Sequence, residues 1–187
     1  MPRVTPEQAI KEAKSNSLRP VYLVLGEERF LVDAVVGALR DATMKGGIAG
    51  FNEDKFTAGE ASAEAIVGAA RMLPMMAKRR FVLARGLERW EKKEGDADAA
   101  DEAKDTKGSS KKSKELSPLD ILAEYAKAPV DSTVMVLTAP KLHAQRKLVA
   151  HAKKTGFIVN CDALSRRALP GWIEHTAKEK EHKIDSD

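Results

Sequence analysis

The sequence is poor in the residues that build disulfides, metal clusters and aromatic cores. Cys161 is the only cysteine among 187 residues, which excludes an internal disulfide and any metal cluster built on several cysteine ligands. The four histidines lie far apart in sequence, and no pair has a convincing metal-ligand spacing. Aromatic residues make up only 5% of the chain, so a core must consist mainly of Val, Leu, Ile, Ala and Met. We therefore expect no metal site and an aliphatic core.

Long apolar runs are also missing. No stretch approaches the roughly 20 residues of a membrane span, and the first residues lack a signal-peptide pattern. The sequence therefore predicts a cytoplasmic protein with no membrane partner. Lys and Arg together number 32 against 28 for Asp and Glu, a mild excess that is weak evidence for contact with DNA. A chain of this length has room for one sizeable domain and a small appendage.

Apolar segments alternate with helical patterns five times along the chain. Strands are predicted at residues 21–25, 51–56, 81–84, 133–138 and 157–161, and helices at 5–15, 27–44, 62–73, from 117 onward and at 143–155. Because the strands other than 51–56 are nearly continuous in apolar residues, both of their faces must be covered. This indicates a three-layer α/β domain with a five-stranded parallel sheet over residues 1–163. A helical stretch from Ser165, broken at Pro170 and Gly171, marks residues 164–187 as the beginning of a helical second domain.

Residues 91–114 interrupt this alternation. They contain seven acidic and seven basic residues and no large apolar one. Such a segment cannot bury enough apolar surface to fold by itself, so we expect a disordered, charged surface insertion. Its basic end, residues 104–114, leaves open a role in binding DNA, although a solvated loop is the preferred interpretation.

The turn after the first strand occupies the place of a phosphate-binding loop but has the wrong chemistry. Such a loop needs several glycines, a Lys and a Ser or Thr. Here Gly26 is followed by Glu27 and Glu28, two carboxylates at a helix N-terminus where the phosphate would have to lie. The third strand is followed by Arg85 rather than by the carboxylates that hold a catalytic metal ion. We therefore expect no catalytic residue and no cofactor, with a nucleotide-dependent ATPase carrying an unusual loop as the alternative.

The segment before the third strand carries adjacent methionines on a turn. Leu73 is expected to complete the apolar face of the preceding helix, and Pro74 prevents that helix from continuing. Met75 and Met76 then point in different directions, so one of them packs beneath the helix and the other is incidentally exposed, or both form an apolar plug for a partner's pocket. In the second case the neighbouring cations form a basic rim that steers an acidic partner; these are Lys78, Arg79 and Arg80.

Four of these segments together resemble the delta subunit of bacterial DNA polymerase III, the clamp-loader subunit that opens the sliding clamp. They are residues 19–33, 73–80, 131–137 and 161–173. The resemblance covers most of the chain except the charged insertion. It implies an AAA+-like (P-loop NTPase-like) first domain without a functional phosphate loop, followed by the start of a helical lid domain. It also implies that the chain has no intrinsic ATPase or polymerase activity.

The resemblance further implies a function in DNA replication, namely binding the beta sliding clamp and helping to open it. In this family the turn before the third strand inserts apolar side chains into a pocket of the clamp, a role that falls here on Met75 and Met76 with support from Leu73. Many members carry aromatic residues or Leu at the two methionine positions. The family contacts the other clamp-loader subunits through a C-terminal domain, so a fragment ending at Asp187 is expected to bind the clamp without assembling a loader. Contact with DNA is expected to be indirect or weak, within the replisome.

Overall fold

The computed structural model describes residues 4–91, 116–163, 166 and 169–179. Its elements follow in the order α1 (Pro6–Lys14), β1 (Val21–Leu25), α2 (Arg29–Thr43), α3 (Ala49–Asn52), β2 (Glu53–Thr57), α4 (Ala63–Arg71), β3 (Arg80–Arg85), α5 (Pro118–Lys127), β4 (Thr133–Ala139), α6 (Lys147–Thr155), β5 (Ile158–Asn160) and α7 (Leu169–Glu179). A short helical turn at residues 88–91 follows β3.

The five strands form one parallel sheet in the order β2-β3-β4-β1-β5. The predicted five-stranded parallel sheet is therefore confirmed. Its first strand in sequence lies between β4 and β5, with Val21 opposite Met135 and Leu23 opposite Ile158. Because all strands run in one direction, the sheet has an amino edge, where connections enter the strands, and a carboxyl edge, where they leave.

Helices cover both faces of the sheet. Ile66 of α4, Leu122 of α5 and Leu148 of α6 are buried against one face, together with Val21 and Leu23. The other face is covered by α1 and α2, whose buried residues pack with the alternate side chains of β1. This alternation within one strand explains why β1 reads as a continuous apolar run, since both of its faces need apolar side chains.

Hydroxyl side chains start three of these helices as the sequence predicts. Thr5, Ser62 and Ser117 each accept a hydrogen bond from the backbone N–H three residues further on. Such caps satisfy N–H groups that have no partner inside the helix. At the end of α6, Gly156 takes the left-handed conformation with a φ of 78°.

Several predicted boundaries are wrong. Residues 49–52 form a helical turn, so β2 starts at Glu53 and Phe51 is exposed rather than in a strand. The helix predicted at 143–155 starts only at Lys147. Residues 143–146 form a turn instead, because the Glu91 carboxylate accepts hydrogen bonds from the His143 N–H (2.8 Å) and the Arg146 side chain (3.2 Å).

Two expectations about the helices also fail. Pro170 and Gly171 do not break a helix but lie in the first turn of α7, where the missing N–H of proline costs nothing. The apolar spacing of the helix predicted at 27–44 makes Phe30 a core residue, but it is exposed at the start of α2. Its ring instead makes an edge contact with Trp172 of α7, with the ring centres 5.3 Å apart. Trp172 also packs against the core on the α1–α2 side.

The predicted disordered insertion falls almost entirely on residues 92–115, which lie outside the described residues, as do 164, 165, 167, 168 and 180–187. Glu91, which we assigned to the insertion, belongs to the folded domain through its bonds to residues 143 and 146. Among the helices of the described ranges, none is long and apolar enough to cross a membrane.

Candidate functional site

The turn between α4 and β3 presents an exposed apolar surface at the amino edge of the sheet. Helix α4 ends at Arg71, and Met72 is already extended (φ −69°, ψ 140°), two residues before Pro74. The sequence predicts that Leu73 completes the buried face of α4. In the structure Leu73 is exposed, so this prediction is wrong. We call residues 73–78 the methionine turn.

Both methionines of the methionine turn are exposed. Met75 is 56% and Met76 90% exposed. Met76 has a φ of 51°, a conformation that is uncommon for residues other than glycine. The alternative in which one methionine packs beneath the helix is therefore wrong. Exposed apolar side chains are common singly, but a consecutive group on a fixed turn is typical of an interaction site.

The backbone of Met75 is held by a buried side chain that sequence reasoning missed. Asn52, which is 0% exposed, accepts a hydrogen bond from the Met75 N–H (2.7 Å) and donates one to the Met75 carbonyl (2.8 Å). The same amide donates to the Ile48 carbonyl (3.1 Å). Because the two residues are 23 positions apart, no local pattern signals this pairing. It fixes the turn without using either methionine side chain.

The predicted basic rim is only partly present. Arg80 is 7% exposed, and its guanidinium pairs with Asp54 through Nε (2.9 Å) and donates to the Phe51 carbonyl (2.9 Å). It is therefore a structural residue of β3 and not a rim residue. Lys78 is exposed and Arg79 is half-buried.

A basic groove lies beside the methionine turn. It has a volume of about 830 Å³, and Met76 and Lys78 line it together with Arg79 and Lys45. Three cationic side chains thus face a groove whose wall includes an exposed methionine. Such an arrangement favours a partner that combines an apolar surface with nearby carboxylates.

The second predicted feature, the turn of Gly26, Glu27 and Glu28, lies at the opposite, carboxyl edge. The Gly26 N–H donates to the Ala139 carbonyl and the Glu28 N–H to the Cys161 carbonyl, each at 3.2 Å. In a phosphate loop, backbone N–H groups of this turn face the anion. Here both N–H groups already donate to carbonyl groups, one at the end of β4 and the other directly after β5. Glu28 also caps α2, its carboxylate accepting from the Phe30 N–H at 3.4 Å.

The end of the third strand carries a cation where an NTPase needs an acid. Arg85 lies 3.3 Å from the Asp33 carboxylate of α2. Glu88, the first acidic residue after β3, is half-buried in the helical turn that follows this strand. A pocket of about 600 Å³ at this edge contains side chains of both signs, among them Glu27 and Lys141. Burial raises the pKa of the Cys161 thiol to about 12, with smaller contributions from Asp162 and Glu7, so it stays protonated at neutral pH.

Known proteins match this chain over most of its length. A family model described as DNA polymerase III, delta subunit, matches residues 22–162. DNA polymerase III subunit delta of Bacillus subtilis (strain 168) is 25% identical over 179 residues, which is 95% of this chain but 47% of the relative. The chain thus spans about half the length of that protein.

Solved structures agree with this match at the level of the fold. A Bacillus subtilis DNA clamp loader delta protein aligns with a TM-score of 0.72 and 24% identity, over 96% of this chain and 49% of its own. A DNA polymerase III gamma subunit-related protein from Thermotoga maritima aligns with a TM-score of 0.52 and 12% identity, over 92% of this chain and 52% of its own. These identities support a common fold and no more.

Proposed function

The chain belongs to the DNA polymerase III delta subunit family, and from this premise we propose that it binds the beta sliding clamp through its methionine turn and helps to open it. The observation that carries the proposal is the pair of exposed side chains, Met75 and Met76, on a backbone fixed by Asn52. A preorganised turn loses little conformational entropy on binding. Unbranched methionine side chains adapt to an apolar pocket of imperfect fit.

The chain does this without hydrolysing nucleotide. Support comes from the carboxyl edge, where the N–H groups of Gly26 and Glu28 are bonded to carbonyls and Arg85 stands at the end of β3. As a member of this family, the chain is also proposed to act together with other clamp-loader subunits. The site of action is the replisome in the bacterial cytoplasm.

Calorimetric titration against the clamp of the same bacterium tests the proposal. Replacing Met75 and Met76 together with Ala is expected to cost at least about 2 kcal/mol of binding free energy, or roughly thirtyfold in Kd. Both side chains are exposed, so the variant should unfold at the same temperature as the wild type.

A control pair comes from the other end of the sheet. Leu116 and Leu169 are exposed apolar residues. Leu116 precedes α5, which leads back to the amino end of β4, and Leu169 starts α7 after the end of β5. Replacing both with Ala should leave the clamp affinity unchanged. An unaltered affinity in the methionine variant would rule out the methionine turn as the clamp-binding element.

A further inference from the structure

A second group of exposed apolar side chains lies directly beside the methionine turn. Ile48 is 54% and Phe51 55% exposed, although both are large and apolar. Ile48 directly precedes α3 and Phe51 lies in it, and the Phe51 N–H donates a hydrogen bond of 3.2 Å to the Ile48 carbonyl. This hydrogen bond closes a turn that brings the backbones of the two residues close together.

Asn52 joins this group to the methionine turn. Its Nδ2 donates both to the Ile48 carbonyl (3.1 Å) and to the Met75 carbonyl (2.8 Å), so one nitrogen atom lies within hydrogen-bond distance of the two segments. The segments also approach closely nearby, since a Cβ built on Gly47 would lie 2.9 Å from the Ala77 Cβ. Ile48 and Phe51 therefore extend from a backbone segment adjacent to the one that carries Met75 and Met76.

The α3 segment is fixed from its other side as well. The buried guanidinium of Arg80 donates to the Phe51 carbonyl (2.9 Å) and pairs with Asp54. The backbone carbonyl groups of Ile48 and Phe51 thus each accept a hydrogen bond from a buried side chain. Holding exposed apolar residues on a rigid backbone does not help folding, because their side chains remain in water, but it lowers the entropic cost of binding.

We infer that Ile48 and Phe51 form a second part of the clamp-docking surface, continuous with the methionine turn, and that they cover the apolar margin of the clamp pocket that receives Met75 and Met76. The occupant is the sliding clamp, because a partner whose pocket takes the methionines cannot approach without facing the adjoining segment. Lys45 and Lys78 line the groove beside the methionine turn and favour carboxylates on the same partner. This inference rests on the proposed function.

The test compares three double variants of the chain by titration with the clamp. Replacing Ile48 and Phe51 with Ala is expected to weaken binding about tenfold, less than the methionine pair does, because they lie at the margin of the contact. The Leu116→Ala, Leu169→Ala pair is the control and should match the wild type. Thermal unfolding of each variant checks that the fold is unchanged.

The outcomes separate this inference from the proposed function. If the methionine pair loses affinity while the Ile48, Phe51 pair stays within twofold of wild type, the second part of the surface is disproved and the proposed function stands. If neither pair affects binding, both fail. If only the Ile48, Phe51 pair matters, the proposed function through the methionine turn fails, and so does the inference that this pair lies at the margin of the methionine contact.

Crosslinking gives an answer even where a double variant is destabilised. Cys161 is buried, so an Ile48→Cys variant can be labelled selectively with a photoactivatable maleimide. The label at position 48 should crosslink to the clamp, and the same label in Leu116→Cys should not. The inference would be overturned if the label at position 48 gave no crosslink to the clamp, or no more than the label at position 116.

Discussion

The turn at Gly26 is packed against the backbone of Cys161, at the carboxyl edge of the sheet. The Cys161 N–H donates to the Leu25 carbonyl (2.6 Å), and its own carbonyl accepts from the Glu28 N–H (3.2 Å). Gly26 has a φ of 150°, and a Cβ there would overlap the carbonyl group of Cys161. Gly26 thus allows the backbone after β1 to pack closely against the backbone after β5.

Gly26→Ala is therefore expected to be strongly destabilising. The added methyl group meets backbone atoms, which cannot move aside as the end of a side chain can, and an L-residue is strained at this φ. A loss of about 3 kcal/mol or more in the free energy of unfolding should appear in urea titrations.

Gly37→Ala is the matched control for this substitution. Gly37 lies inside α2, and a Cβ there has no atom within 4 Å. Because alanine favours helix over glycine, the variant should gain up to about 1 kcal/mol. Similar behaviour of the two variants would contradict the packing role of Gly26.

Mg-ATP at millimolar concentration is expected to leave the unfolding temperature unchanged. A ligand present at 100 times its Kd would add about 2.7 kcal/mol to the stability. The N–H groups of Gly26 and Glu28 are engaged by carbonyls, and Glu27 adds negative charge. Differential scanning fluorimetry with ATP, and with magnesium alone as control, makes the comparison. A reproducible upward shift with ATP would favour the ATPase alternative.

Substitutions of Lys78 and Arg80 are expected to have different effects, the first on association with the clamp and the second on the stability of the fold. Lys78→Glu should slow association with the clamp several-fold at low salt and less at high salt, because an exposed charge acts by steering. Its stability should stay within about 0.5 kcal/mol of wild type. Arg80→Met, by contrast, removes the partner of Asp54 and of the Phe51 carbonyl and should cost about 1–3 kcal/mol of stability. Stopped-flow kinetics measures the association rate of each variant, and urea unfolding measures its stability. A destabilised Lys78 variant together with an Arg80 variant of wild-type stability would contradict these two roles.

A buried carboxylate is expected to make the fold sensitive to acid. Hydrogen bonding to Arg40 lowers the pKa of Glu53 from 4.5 to about 2, against an opposing effect of burial. The two side chains share two hydrogen bonds of 2.7 Å. Because the pKa is depressed in the folded state, the stabilisation is complete above about pH 4.5 and is lost as the pH falls towards 2.

Glu53→Gln should accordingly lower the free energy of unfolding by about 1–3 kcal/mol at pH 7, a range that allows for solvent screening at the half-exposed Arg40. The difference in stability from the wild type should shrink as the pH falls towards 2. Asp41→Asn is the control, since Asp41 lies 3.3 Å from Arg40 but is exposed. Urea unfolding between pH 2 and 7 makes the measurement. A deficit that stays constant with pH would show that the effect does not come from the carboxylate charge.

Most elements of the fold could be predicted from local patterns. The strands β1, β3 and β4 are apolar on both faces, and Thr5, Ser62 and Ser117 start their helices through contacts only three residues long. The errors fall where a distant side chain decides the backbone. Glu91 holds residues 143–146 out of the predicted helix, and Asn52 bonds across to Met75.

Exposure of the site residues was less predictable than their position. The sequence placed Met75 and Met76 on a turn, because Pro74 ends the helix, but it could not decide whether either was buried. It also placed Arg80 in a basic rim, whereas Asp54 and the Phe51 carbonyl bind its guanidinium inside the domain. The pairing partner lies 26 residues away on a neighbouring strand, and charge alone does not reveal it.

By itself, the sequence determined the parallel α/β architecture, the departure from phosphate-loop composition at Gly26, Glu27 and Glu28, and the position of the methionine turn. Each of these depends on residue type and short spacing, which act within one or two turns of the chain. Only the tertiary structure decided that Asn52 fixes the turn, that Ile48 and Phe51 lie beside it, and that Arg80 is internal. These depend on which segments the sheet order brings together, because a hydrogen bond between distant residues forms only after the fold has placed its two ends.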